Sequence, residues 1–392
     1  MPYKTPELAV NPSVLEWARK TAGFTSDDIA KRLSVSKEQV ELWEKGSQEV
    51  PLRVTQLEDL AHFLRRPLAA FLLDKPPIEP EPPRDFRRVG GESGPLSPSL
   101  KLVIRRARRL QRIAHEVMEN MGIAMTSQIP SAKLQDKPEM VGRRLRKSFN
   151  VTTQEQFKWR SPSMALNHWR ETLEARNILV FQGDFEREEA QGFSISDEHP
   201  YAIILSSKDY PNARSFTLLH ELGHLLLREG GVCLTEIVYP SRETKITKTE
   251  NWCHRFAEAF LIDEDILHSK EETEYIIKMT SGYEDKLQKL ASQFKVSREV
   301  ILFKLWHDKS ITDSLFWSMY SQLQQKLILP TKREEKKKEG GPSQVQIALR
   351  ERGRFFSRLI LDALDRNILG YTDAADYLSV RPRDFERLRS MT

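Results

Sequence analysis

The chain has 392 residues, and its Lys+Arg 61 against Asp+Glu 56 leave a formal charge of only +5, so a pI near 9.0 reflects a mild surplus, not a polycation. That length provides for two or three domains with sizeable cores. Two cysteines, Cys233 and Cys253, make no disulfide framework, no apolar run is long enough to span a bilayer, and no secretory leader opens the chain, so the expectation is a cytoplasmic protein with no membrane partner.

The first predicted elements are short helices. Thr25-Ser-Asp-Asp-Ile-Ala-Lys-Arg-Leu33 and Lys37-Glu-Gln-Val-Glu-Leu-Trp43 are two helical periods around a tight Ser-Val-Ser turn, with Ser36 placed to cap the second, and residues from Pro51 to Leu73 add two more helices. Over about seventy residues this resembles the XRE, or Cro/CI repressor-type, helix-turn-helix family. By that resemblance the second helix is the recognition helix, and Ser36, Lys37, Gln39 and Lys45 are the DNA-binding candidates. Against this stand Glu38, Glu41 and Glu44 on the same helix, and over residues 1 to 75 eleven Lys and Arg balance eleven Asp and Glu. With no surplus charge for counterion release, a docking module for another protein competes with DNA binding.

Lys75-Pro-Pro-Ile-Glu-Pro-Glu-Pro-Pro and the Gly-rich stretch after it predict an extended linker over 75–99. From Lys101 to Met118 a basic helix follows, carrying Arg105, Arg106, Arg108, Arg109 and Arg112. It reads better as the solvated face of a packed helix than as a nucleic-acid contact. Ile178-Leu-Val-Phe, Gly192-Phe-Ser-Ile and Tyr201-Ala-Ile-Ile-Leu are β-rich segments bounded by Gly, Asp and Pro.

The chemistry is concentrated in Phe216-Thr-Leu-Leu-His220-Glu221-Leu-Gly-His224-Leu-Leu. Residues four apart on a helix stand one turn apart on one face, so His220 and His224 can reach one tetrahedral zinc ion. Glu221 beside them is placed to take a proton from a water that the metal has made acidic. Downstream, Thr249 to Leu261 repeats apolar residues at three and four and reads as a second helix. Glu250 near its start either completes a His, His, Glu metal set or is a carboxylate favoured there by the helix dipole.

Together FTLLHELGHLLL and the later E-x-x-C-H-R-F-A-x-x-F-L resemble the ImmA/IrrE family of zinc metallopeptidases. The resemblance implies a zincin-like domain with Zn2+ held by His220, His224 and Glu250, and Glu221 as general base. It further implies a protein substrate, a repressor or another regulator cleaved to change gene expression under stress or in a mobile element. The family's small residue and Asn are here Cys253 and His254, and its Met-Pro is Ile262-Asp263. His254, one turn past Glu250, is expected to support a liganding histidine from behind the metal site, or else to join the metal with Cys253. Tyr201, His199 and Tyr239 are the candidates for a group that stabilises the transition state.

The Leu-Ser-Val-Ser turn is echoed at Phe294-Lys-Val296-Ser and at Leu378-Ser-Val380, and a charged linker over 330–343 precedes the last echo. The predicted organisation is therefore a helix-turn-helix domain over 1–74, the linker over 75–99, a metallopeptidase domain over 100–329, the second linker, and a helical domain over 344–392. The fold class is mainly α with a small β-sheet (α+β). The rival function is a DNA-binding regulator, a toxin and antitoxin system being one setting for it, whose zinc is structural or sensory. Glu221 discriminates between them, because only the peptidase needs it.

Overall fold

The computed structural model describes residues 10–47, 51–79, 84–85, 96–233, 245–279, 281–328 and 341–392. Near its start the backbone forms α1 (Pro12–Ala22), α2 (Ser26–Leu33), α3 (Lys37–Glu44) and α4 (Val54–Phe63), then a 3-10 turn, Leu68–Leu72. Local chemistry fixes the α2–α3 junction. Thr25 and Asp28 form a reciprocal capping box at the start of α2, Ser34 turns left-handed at φ 54°, and Ser36 Oγ accepts the N–H of Gln39 to start α3. Val14, Leu15, Ile29, Val40, Trp43, Leu57 and Phe71 are buried, most of them in one cluster.

The chain then runs through β1 (Arg84–Asp85) and α5 (Pro98–Asn120). By internal contacts the chain divides into two compact units, and the division falls inside α5, after Arg106. On α5, Leu110, Ile113, Ala114, Val117 and Met118 are buried. Arg108 pairs with Asp197 at 2.5 Å and Arg109 with Asp376 at 2.7 Å, so these members of the basic run are engaged by carboxylates.

The second unit continues with α6 (Pro138–Ser148), α7 (Thr153–Lys158), α8 (Pro162–Glu174), β2 (Leu179–Gly183), β3 (Gly192–Ile195) and β4 (Ala202–Ser206). Next come α9 (Pro211–Leu226), β5 (Gly231–Cys233), α10 (Lys245–Leu261), α11 (Glu264–His268), α12 (Glu271–Lys278), α13 (Glu284–Phe294), α14 (Arg298–His307) and α15 (Asp313–Ile328). The last helices are α16 (Gln344–Arg352), α17 (Arg354–Asp365), α18 (Tyr371–Leu378) and α19 (Phe385–Arg389), and they lie in this same unit. The expected class holds: the structure is mainly helical with one small sheet.

That sheet has the order β1-β5-β3-β4-β2. β2 runs parallel to β4, with Leu179 opposite Ala202, while β3 is antiparallel to both β4 and β5. β1 comes from the Pro-rich stretch, and Arg84 and Asp85 pair in parallel with Gly231 and Val232. Strands β3 and β4 are buried along their whole length, as strands covered on both faces must be. One apolar cluster joins Leu173, Val180, Ile203, Leu218, Leu222, Phe256, Phe260, Leu290 and Ile301, tying the sheet to α8, α9, α10, α13 and α14.

The echoed turn is one local structure used three times. Lys295 and Ser379 turn left-handed at φ 58° and 55°, close to the 54° of Ser34. The valines after the second and third turns, Val296 and Val380, are buried, and Ser297 Oγ accepts the N–H of Val300 as Ser36 does that of Gln39.

Candidate metal centre

α9 begins with Pro211, whose fixed φ suits a first helical turn, and residues Ser215 to Leu226 are all buried. His220 and His224 occupy one face, and their Nε2 atoms lie 3.2 Å apart. Glu250, on α10, meets both: Oε2 is 3.1 Å from His220 Nε2 and Oε1 is 3.2 Å from His224 Nε2. α10 begins at Lys245, so Glu250 stands in its second turn, away from the helix end whose dipole was the alternative account of this carboxylate.

Three side chains thus aim acceptor atoms at one buried point, and such a donor set is suited to a cation. Burial outweighs the pull of Glu250 and holds the His220 imidazole down to about 4, leaving it neutral, the form that offers a lone pair to a metal. Burial pushes the Glu250 carboxyl up, yet the two imidazoles more than offset it and bring it to about 2. Among the described residues, the donors placed to hold a metal ion here are His220, His224 and Glu250, without Cys253 or His254.

Close helix contact makes the convergence possible. A Cβ on Gly223 would come within 3.1 Å of Cys253 Sγ, so the small pair Gly223 and Cys253 lets α9 and α10 touch where the ligands face each other. Cys253 is fully buried, and burial pushes its thiol up to about 11. The far end of α10 is tied down by Arg146, whose Nη1 donates to the carbonyls of Phe260 and Leu261 at 2.8 and 3.0 Å. Asp263, standing where the related pattern has Pro, caps α11 through the N–H of Ile266.

His254 lies beside His220, ring centroids 5.4 Å apart and edge to face, between Phe216 and Phe303. Its Nδ1 is 3.9 Å from Glu258 Oε1, and the same carboxylate receives His307 Nδ1 at 2.8 Å. Glu258 and His307 were not singled out in the sequence. The signal was weak, since Glu258 shares a helix face with His254 only by its spacing of four and His307 comes from α14.

Ser194 was likewise missed. Its Oγ donates to Glu221 Oε2 at 2.8 Å, with both side chains fully buried. In a strand residues two apart share a face, so Gly192 and Ser194 both turn toward α9, and a Cβ on Gly192 would meet Thr217 Cγ2 at 2.7 Å.

Other candidates fall elsewhere. The Tyr201 hydroxyl accepts from Arg228, and His199 stacks on the Tyr201 ring at 4.0 Å. Tyr239 lies outside the described residues. Glu264, His268 and Asp308 form a second cluster, but Lys304 Nζ sits 3.0 Å from Glu264 and 2.6 Å from Asp308 and already supplies the cation. On α3, Ser36 is spent as the cap, Lys37 pairs with Asp27 at 2.9 Å, Gln39 is half-buried, and Lys45 is exposed. Glu44 is turned inward to a two-point pair with Arg19, both contacts 2.7 Å.

Residues 173–305 match the model of the IrrE N-terminal-like domain, a peptidase family, and this span contains the two histidines, Glu221, Glu250, Ser194 and β2 to β5. No curated protein and no solved structure matches the chain.

Proposed function

We propose that the protein is a zinc-dependent endopeptidase in which His220, His224 and Glu250 hold the metal and Glu221 is the general base. The observation that carries the reading is the buried convergence of two Nε2 atoms from α9 and one carboxylate from α10 within 3.2 Å, beside a second carboxylate, Glu221, on the helix that carries the histidines. Two imidazoles and one carboxylate make a three-donor set of the kind that leaves zinc a position open to water or substrate. When bound, zinc supplies a Lewis-acid charge that polarises the scissile carbonyl and makes a water acidic.

The remaining steps belong to the protein. Glu221 takes the proton of the attacking water and hands it to the departing amine, a service worth about 10²–10⁴ in rate. Ser194, donating to Oε2, fixes which carboxylate oxygen faces the water. The substrate is a protein, and a regulator or repressor fits the helix-turn-helix pattern of α2 and α3, which would bring the peptidase to its target or to the target's DNA.

The test is Glu221→Gln. Zinc content by elemental analysis should stay at the parent level while cleavage falls by about 100-fold or more. A variant that cleaves as the parent does removes the base from the mechanism. Because the inert enzyme should retain an uncleaved target, the same variant serves to capture the substrate.

A further inference from the structure

A cavity of about 310 Å³ opens among α8, the start of α9, β2 and the C-terminal helices. Four arginines from four helices line it: Arg170 on α8, Arg214 on α9, Arg350 on α16 and Arg354 on α17. Only two carboxylates, Glu171 and Glu174, share the lining.

Those carboxylates are already engaged. Glu171 Oε1 takes Arg354 Nη1 at 3.0 Å. Glu174 Oε2 accepts the N–H groups of Arg354 and Phe355 at 3.2 and 3.0 Å, and its Oε1 lies 3.9 Å from Arg170 Nη2, so it both anchors the α17 N-terminus and pairs with Arg170. Among the described residues, neither Arg214 nor Arg350 has a carboxylate within ion-pair distance. Arg170 is only 5% exposed, and its terminal nitrogens donate to the carbonyls of Arg350 and Val180, yet its Nε is buried without an acceptor. Arg214 Nη1 donates to Gln182 Oε1 in the same lining, while its Nε is buried in the same state as that of Arg170. Burial presses the Arg214 guanidinium below its usual range, and Arg170 and Arg350 press the same way against the attraction of Asp209.

Gathering like charges with unmet donors in a partly enclosed space destabilises a fold unless something of opposite charge fills it. Forked guanidinium donors match the oxygens of a phosphate, and the two positive charges left over match a dianion. The volume lies at the small end of ligand pockets, and Leu166, Leu349 and Met391 add apolar wall.

We propose that this cavity binds a small phosphate monoester, of mononucleotide size, through Arg170, Arg214, Arg350 and Arg354. The ligand would join the first turn of α9, the helix that carries His220, to the C-terminal helices. The proposal does not rest on the peptidase reading.

Isothermal titration of the full chain with inorganic phosphate, with adenosine monophosphate and with adenosine tests it. At low ionic strength, saturable binding of the monophosphate and none of adenosine is expected, with affinity falling as salt is added. Tighter binding of the nucleotide than of phosphate assigns a nucleoside phosphate; equal binding assigns the phosphate group alone. Arg350 is exposed, so Arg350→Ala should fold and should weaken binding by tenfold or more, with Arg350→Lys recovering only part because it lacks the fork. The idea is overturned if neither phosphate compound binds at millimolar concentration, or if Arg350→Ala and Arg214→Ala both bind as the parent does.

Discussion

Ser194 Oγ and Glu221 Oε2 are joined by a 2.8 Å hydrogen bond between a buried strand and a buried helix. The bond orients the carboxylate without contributing to the metal set. Ser194→Ala is therefore expected to lower kcat by about tenfold, the scale of a lost orienting contact, with KM and zinc content close to the parent. Steady-state kinetics beside metal analysis checks it, and a parallel loss of zinc would reassign Ser194 to folding.

Removing a ligand should act the other way round. In Glu250→Gln one anionic donor becomes a neutral amide, and zinc affinity should fall by 100-fold or more. Added zinc should raise the melting temperature of the chelator-treated parent, by about 2.7 kcal/mol of stability at a hundred times Kd. The same addition should leave His220→Ala nearly unchanged, and equal shifts in both would place the metal elsewhere.

Gly353 has φ +77°, and a Cβ there would lie 2.2 Å from Glu174 Oε1 and 3.0 Å from the Val180 carbonyl. Gly353→Ala combines an unfavourable backbone region with a clash against a buried carboxylate, so a loss of about 2 kcal/mol or more is expected. Denaturant midpoints at constant slope measure it. A midpoint equal to the parent's would mean that α17 shifts freely at its start.

Glu258 supplies a pH dependence. Burial works to raise its carboxyl, but His307 and His254 overcome that and hold it at about 2, against an ordinary value of 4.5. A folded value below the unfolded one gives stability that is complete above about 4.5 and is lost as pH falls toward about 2. Glu258→Gln should be less stable near neutrality and flatter through that acid window, as urea midpoints at several pH values would show. An identical acid slope would remove Glu258 as the source.

The sequence revealed the parts of this structure that depend on short spacing. Two histidines four apart, a glutamate between them, and Ser36 before an amphipathic run each state their local geometry directly, and the thrice-used Val turn was visible as a repeated string. What depends on distant packing was not legible. Glu250 could be read as ligand or as helix-end carboxylate until α10 was seen to start at Lys245. Ser194 looked like one polar residue in a short strand, because its partner lies 27 residues away. The basic cavity collects arginines separated by up to 184 positions, a grouping that no local pattern announces.

Arg146, from α6, holds the C-terminal end of α10, and Glu250 stands eleven positions before Leu261, roughly 16 Å away at 1.5 Å per residue. A stiff rod clamped at its far end and pressed against α9 at Gly223 cannot let its ligand wander. Damage to that clamp, remote from any reacting atom, would be felt as a loosened metal.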